Sequence, residues 1–546
     1  MNTRQSLTSV LESALINLGL EKFDVALEHP ADLKNGDYAT GVALRYAKKA
    51  KMKPRELAEK IVAALGAVEG VAKIEIAGAG FINFYLASSE LAASIEEARA
   101  KEKWGANATL AGKKIMVEYT DPNPFKEFHI GHLMSNAIGE SIARLLQFSG
   151  AEVKRANYQG DVGPHVAKAI WGKMKSPEKT WGQVYAEGSA AYEEHKEEID
   201  AINAKVYERS DAEINKLYDA GRKESLEHFE ELYKILGTKF DHYFFESETG
   251  PKGIEIVRAH PQVFVQSDGA VVFKGEDVGL HTRVFLTSKG LPTYETKELG
   301  LAELKNEKSP SDISITITAH EQADYFRVVL AAMKQVMPEI AAKIKHISHG
   351  MMRLPTGKMS SRTGDVITGE SLLAELIEAA KERAAESRAE DHEKLAEAVA
   401  VGAIKYQILK QASGKDIVFE RERALSLEGD SGPYLQYAYA RTNAIAEKAK
   451  EQHVVAKVDE SAEPSELTRL LHRFPEIVER AAAEYEPHLL TTYLLEVASA
   501  FNSWYAQEQI LDGTPLAAHK VALVEAVGRT LKNGLWILGI PAPEKM

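Results

Sequence analysis

Residues 115–163 constrain the fold more than any other part of this chain. Ile115-Met116-Val117-Glu118-Tyr119 is a short apolar run of the kind a buried strand uses, and Ile130–Phe148 repeats apolar residues at helical spacing until Gly150 stops it. Residues 153–158 then supply a second strand, ending in Gly160-Asp161-Val162-Gly163. Strand, helix and strand in that order is the rhythm of a doubly wound α/β unit, whose ligands bind at the carboxyl ends of the strands. The loop leaving the first strand and the start of the helix are where chemistry is expected.

The rest of the chain is organised around that unit. At 546 residues it is too long for one ordinary core. Residues 1–109 mix helical periodicity with the apolar run Ile74-Glu75-Ile76 and with Gly80-Phe81-Ile82-Asn83-Phe84, a small α+β domain. Its basic stretch, residues 48–55, is either a phosphate-facing surface or a solvated helix end. Residues 110–390 form the Rossmann-like domain, interrupted at about 176–240 by a charged helical insertion. Strands are expected to resume at Ala270–Phe273 and at Ile313-Ser314-Ile315-Thr316-Ile317. Residues 391–546 are almost wholly amphipathic helix, apart from the polar stretch 458–465, and predict an all-α bundle.

Composition removes several functions. With no cysteine there is no disulfide and no thiolate metal site, and the 17 histidines contain no His-Glu-x-x-His, so no protein-bound catalytic metal is expected. No apolar run approaches the roughly 20 residues that span a bilayer. The first residues carry helical periodicity with Glu12 among them, unlike a signal-peptide core, and are read as part of the folded protein. A net charge of −13 excludes indiscriminate nucleic-acid binding, so any polyanion must meet a selected surface.

Two segments carry phosphate chemistry. His129-Ile130-Gly131-His132 sits at a helix start, where free N–H groups and the helix dipole favour anions, and Gly131 lets a flat base approach the backbone. The bland alternative is two surface or core histidines. Gly357-Lys358-Met359-Ser360-Ser361-Arg362-Thr363-Gly364 is a glycine-bounded loop of cations and hydroxyls suited to a pyrophosphate leaving group, or, taken alone, a solvated loop.

Together and in this order, the two segments resemble the paired His-x-Gly-His and Lys-Met-Ser-Lys-Ser signatures of class I aminoacyl-tRNA synthetases. Residues 117–128, Val-Glu-Tyr-Thr-Asp-Pro-Asn-Pro-Phe-Lys-Glu-Phe, resemble the run that leads into the histidines of arginyl-tRNA synthetases. Residues 157–163, 291–300, 321–326, 428–438 and 538–546 resemble further segments of that family in the right order, as do 35–39 and 80–84 in its additional N-terminal domain. The resemblance covers nearly the whole chain. A small nucleotidyltransferase would lack the helical C-terminal third, and a cysteinyl enzyme would need cysteine at its zinc site. A catalytically inactive RNA-binding paralogue would have lost phosphate-handling residues that are present here.

The resemblance implies ATP-dependent activation of L-arginine to an adenylate, then transfer to the terminal adenosine of tRNA(Arg). The enzyme is expected to use Mg²⁺, to be cytoplasmic and monomeric, and to activate arginine only with tRNA bound. His129, His132, Lys126 and Lys358 are the implied catalytic residues, and Gly131, Met359, Ser360 and Arg362 hold ATP. Arginine's planar, permanently charged fork calls for carboxylates; Glu118 and Glu298 supply them, Tyr294 closes the pocket, and Asn123 and Gln322 hold the amino and carboxylate end. A pocket of this kind discriminates without an editing domain.

Phe81 and Asn83 are implied contacts to the tRNA elbow. Tyr434, Tyr437 and Arg441 follow a helix start at i, i+3 and i+7, a face on which anticodon bases can stack or which simply packs the bundle. Three departures stand out. Ser361 replaces a signature lysine, and Lys126, ahead of the histidines, is expected to do that lysine's work. Glu298 stands where aspartate is usual, and Met134 where arginine is common.

Overall fold

The strand, helix and strand expected from residues 115–163 are Lys114–Glu118 (β1), Ile130–Phe148 (α1) and Glu152–Gln159 (β2). This is seen in a computed structural model that describes residues 3–21, 23–353, 355 and 367–546. β1 pairs in parallel with β2 on one side. Beyond β2 lies His242–Phe245 (β3). On the other side β1 pairs in parallel with Ile313–Ala319 (β4), which pairs in turn with Ile344–His349 (β5). The order is β5-β4-β1-β2-β3. The chain builds outward from β1 and then returns to its other edge, so the strand order reverses between β1 and β4. A doubly wound sheet holds its ligand in the crevice at that reversal. Ile115, Met116 and Val117 are all buried, as a strand covered on both faces requires. The register sets Glu118 beside Thr316 of β4 and Ala156 of β2.

The charged insertion is helical as expected, with Trp181–Ala190, Lys196–Glu208 and Ala212–Ile235 following Pro164–Lys175. Ala270–Phe273 is a strand, but it does not continue the parallel sheet. It is the middle strand of a separate antiparallel sheet between Phe264–Ser267 and Arg283–Leu286. The reason is local: Asp268 and Gly269 both take positive φ, 49° and 81°, and make the two-residue hairpin turn that forces antiparallel pairing.

The chain divides into two compact units. The one just described comprises Ala106–Tyr437, Glu479–Thr492 and Gly534–Met546. The other comprises Met1–Gly105, Ala438–Val478 and Tyr493–Asn533. In it a three-stranded antiparallel sheet, with Phe81–Leu86 between Tyr38–Thr40 and Val71–Ala77, packs on helices through Leu7, Leu11, Tyr38, Leu57, Ile61 and Phe84. Polar groups join this sheet to the later helices of the same unit: Asp37 pairs with Arg469, and Glu476 accepts from Tyr38 and meets His29 at 3.1 Å. Among the described residues no helix is long and apolar enough to cross a membrane.

Glu246–Ala259 (α2) and Tyr294–Lys308 (α3) carry one wall of the β1–β4 crevice and touch through facing glycines. A Cβ on Gly300 would lie 2.0 Å from the Thr249 carbonyl oxygen, and one on Gly253 2.0 Å from that of Thr296. Alanine at 300 would gain at most about 1 kcal/mol of helix propensity, against roughly 1–3 kcal/mol for overpacking. The obstruction is backbone, which cannot rotate aside. We expect Gly300→Ala to lower the thermal unfolding midpoint in a calorimetric scan; an unchanged or higher midpoint would show that the two helices can part freely.

Candidate active site

Just beyond β1 the chain bends through conformations that residues with a Cβ avoid. Thr120 and Asp121 have φ of 79° and 49°, and Phe125 has φ of 70°. Each costs of order 1–3 kcal/mol and persists only where its surroundings fix it. Here they do. Thr120 N–H donates to Ser135 Oγ at 3.0 Å, and Asn136 Nδ2 donates to Thr120 Oγ1 at 3.0 Å, both partners lying on α1. Tyr158 N–H donates to Asp121 Oδ1 at 2.7 Å, and Gly160 N–H to Asn123 Oδ1 at 3.0 Å. Phe125 N–H donates to Ser225 Oγ at 3.0 Å, while its ring fills the core of the helical insertion, edge-on to Trp181 at 5.1 Å.

The loop delivers His129 to the N-cap of α1. Its N–H donates to His132 Nδ1 at 3.1 Å, and the two rings stack with centroids 3.4 Å apart. Because Nδ1 of His132 accepts, its proton sits on Nε2. Burial, and then the charge of Lys126, push His129 down to about 4; burial, His129 and Lys126 together hold His132 well below the usual histidine value. At neutral pH both rings are therefore uncharged N–H donors, and the positive charge of this corner belongs to Lys126, whose Nζ stands 5.0 Å from the Tyr185 ring centroid. Gly131 lies tight against the His129 ring, where a Cβ would come within 3.0 Å of Cε1. Gly369 N–H donates to the Phe128 carbonyl at 2.8 Å and so fastens the chain after residue 366 to the start of α1. Lys358, Met359, Ser360 and Arg362, together with Ser361, lie outside the described residues.

The other end of the crevice is rich in carboxyl groups. Glu118, the last residue of β1, is buried and ion-paired with Lys305 of α3, also buried. Glu298 lies seven residues before Lys305, two turns away on the same helix face. Loss of water, then the charge of Glu118, push the Glu298 carboxyl up to about 8, with Lys305 and the Tyr325 hydroxyl pulling the other way. Asp121 is raised for the same two reasons, burial first and Glu118 second. Glu246, at the start of α2, pairs with Lys297 at 2.5 Å, both buried. Tyr294 opens α3 beside that pair, 64% exposed. Asn123 sits against Gly160 and next to Glu246. Gln322 is exposed in the turn His320–Gln322 after β4.

Thus the fold gathers Lys126, His129 and His132 at one end and Glu118, Glu298, Asn123 and Tyr294 at the other, with Glu246 between them, since both Lys126 and Glu298 act on its charge. Lys305, Lys297, Glu246, Asp121 and Tyr325 were not singled out from sequence. Asp121, Lys297 and Tyr325 lie inside segments that resemble the family, and the i, i+7 spacing of Glu298 and Lys305 was a signal for Lys305. Met134 is buried in α1. Away from the crevice, Phe81 is 47% exposed and Asn83 is buried. Tyr434 and Tyr437 are half-buried on the helix Gly432–Glu451, and Arg441 on that helix donates to Asn502 Oδ1 at 2.5 Å and lies 4.9 Å over the Tyr505 ring.

Residues 94–421 match the family described as class I (R) tRNA synthetase catalytic domain, 435–546 the DALR anticodon binding domain, and 2–86 the arginyl-tRNA synthetase N-terminal domain. The chain is 32% identical to the arginine–tRNA ligase of Treponema denticola, over 96% of this chain and 95% of that one. It is 31% identical to that of Limosilactobacillus reuteri over the full length of both. The arginyl-tRNA synthetase of Thermus thermophilus has a similar structure, with a TM-score of 0.84 at 26% identity and complete coverage of both chains.

If the stacked pair is neutral as described, an imidazole NMR titration of the selectively labelled protein will place His129 near 4. Lys126→Met should move that midpoint upward. A midpoint at the ordinary 6.5 in the unaltered protein would remove the account of both rings as uncharged donors.

Proposed function

This chain belongs to the arginyl-tRNA synthetases, class I enzymes that ligate arginine to transfer RNA at the expense of ATP, and we propose that Lys126 and the two neutral histidines run its activation step. The supporting observation is their convergence at the start of α1, in the crevice whose far end carries the carboxyl groups. An oxygen of the arginine carboxylate attacks the α-phosphorus of ATP, the bond to the bridging oxygen breaks, and pyrophosphate leaves. Negative charge then grows on the phosphates. His132 Nε2–H and an N–H of His129 donate to them without competing for a proton, and Lys126 supplies the cation. Lys358, Met359, Ser360 and Arg362 are assigned to the ATP phosphates and the leaving group through their resemblance to the family's signature loop. In the second step a hydroxyl of the terminal adenosine attacks the carbonyl carbon of the adenylate and AMP departs.

Glu118 and Glu298 face the guanidinium, Tyr294 closes over it from the mouth of the crevice, and Asn123 and Gln322 take the amino and carboxylate end. Glu298 lengthens this pocket wall by one methylene relative to the aspartate usual at its position. Mg²⁺ would supply charge neutralisation for the leaving pyrophosphate. Phe81, backed by the buried Asn83, and the face bearing Tyr434, Tyr437 and Arg441 are read as RNA contacts, with activation waiting for bound tRNA. One chain carries all of these parts, and the enzyme is read as a cytoplasmic monomer.

Exchange of labelled pyrophosphate into ATP, run with each amino acid in the presence and absence of tRNA, tests the whole reading. Arginine alone should support it, and only with tRNA; exchange with another amino acid but not arginine would sink the assignment. Lys126→Ala should lower the exchange rate by roughly 10²–10³ while leaving the KM for arginine close to its original value. Near-normal exchange in that variant would withdraw Lys126 from the mechanism and leave the activity standing.

A further inference from the structure

At the arginine end of the site the carboxyl groups outnumber the cation beside them. Glu118 and Glu298 converge there, and the buried cation beside them is Lys305, 7% exposed, with its Nζ on the Glu118 carboxylate. Glu298 and Lys305 line a common cavity of about 30 Å³. Thr316, the β4 residue opposite Glu118, lines it too, with Phe326 and Met333. That volume takes a water or two and no amino-acid side chain. Lys305 is thus a fixed part of the wall.

We propose that Lys305 is a positioning residue for amino-acid recognition, a built-in counter-ion that holds Glu118 and lets Glu298 stand ionised beside it when the guanidinium arrives. The inference rests on the arginine pocket proposed above. Two carboxylates that repel each other with much of their water removed do not both stay charged unaided. Lys305 offsets Glu118 and a cationic ligand offsets Glu298, so the site accepts a positively charged side chain. The remaining groups facing Glu298 do not replace Lys305. Glu246 of α2 is already paired with Lys297. Asp121 accepts from the Tyr158 N–H. Tyr158 and Tyr325 are neutral phenols raised well above their usual value by burial. Lys343 borders the same cavity and has no ion pair with either glutamate.

The test follows arginine-dependent pyrophosphate exchange, with tRNA present, between about pH 6 and 9. In the unaltered enzyme, kcat/KM for arginine should climb with pH toward a plateau with a midpoint near 8. Titrations of arginine and ATP themselves are common to all variants, so differences report on the protein. Lys305→Met should raise the midpoint by about one unit, which lowers kcat/KM roughly tenfold at neutral pH and lets it recover at alkaline pH. Lys305→Arg should restore the original profile. A loss of equal size at every pH overturns the proposal.

Should Lys305→Met not fold, the double variant Glu118→Gln/Lys305→Met removes both charges of the pair and avoids an unpaired buried carboxylate. It should show a higher KM, and its midpoint should lie above that of Glu118→Gln alone, because Lys305 pulls the Glu298 carboxyl down. Equal midpoints in the two variants would also overturn the idea. No arginine-dependent exchange in the unaltered enzyme would instead defeat the pocket assignment itself.

Discussion

The bent exit from β1 is the constraint on which the catalytic unit depends. A straight continuation past Glu118 would carry the chain out of the sheet and away from α1. The left-handed turn at Thr120 and Asp121 folds it back, so that within about a dozen residues the chain supplies an acidic group in the sheet, Asn123 at the carboxyl end of β2, Lys126 and the histidine pair. The strain is sustained because every bent residue is held by a different neighbour: Ser135 and Asn136 on α1, Tyr158 on β2, Ser225 on the helical insertion. Phe125 adds the largest single anchor. Full burial of its ring contributes about 1.5–3 kcal/mol, enough to offset one strained residue, and it makes the insertion a structural support of the site.

Electrostatics divides the crevice in two. Around α1 the crevice carries uncharged donors and one lysine, suited to a highly negative ligand, and loss of water together with the charge of Lys126 holds both histidines below their usual value. Around α3 it gathers acidic groups in excess of their buried cations and waits for a ligand that arrives positive. Both ends are left incomplete in charge, in opposite senses. In the function proposed above the two substrates complete them, and α2 packs closely on α3 at Gly253 and Gly300.

The parts legible in the sequence are those whose physical cause is local. Apolar periodicity gave β1, α1, β2, β4 and the helical C-terminal third, because burial on both faces or on one face leaves its period in consecutive residues. His129, Gly131 and His132 were legible because a helix start presents its N–H groups to whatever precedes it. Ala270–Phe273 is a strand as expected, and its separation from the parallel sheet was legible too: Asp268-Gly269 is a hairpin turn, and a two-residue connection cannot join parallel strands. The tyrosine stripe stayed ambiguous for a physical reason too, since the residue spacing that suits base stacking is the spacing that packs helices.

By itself, then, the sequence determined the class of fold and the order of its parts, which are written in the period of apolar residues, and, through the resemblance of its short segments, the family. Only the tertiary structure decided which charges meet. Glu118 and Lys305, Glu246 and Lys297, and, in the other unit, Asp37 and Arg469 are far apart in sequence and become partners only when the chain returns to the same place. A charged side chain looks the same in the sequence whether water or an opposite charge surrounds it. Its protonation, and with it the residue's role, is set by how much water the fold removes and by what the fold brings within reach.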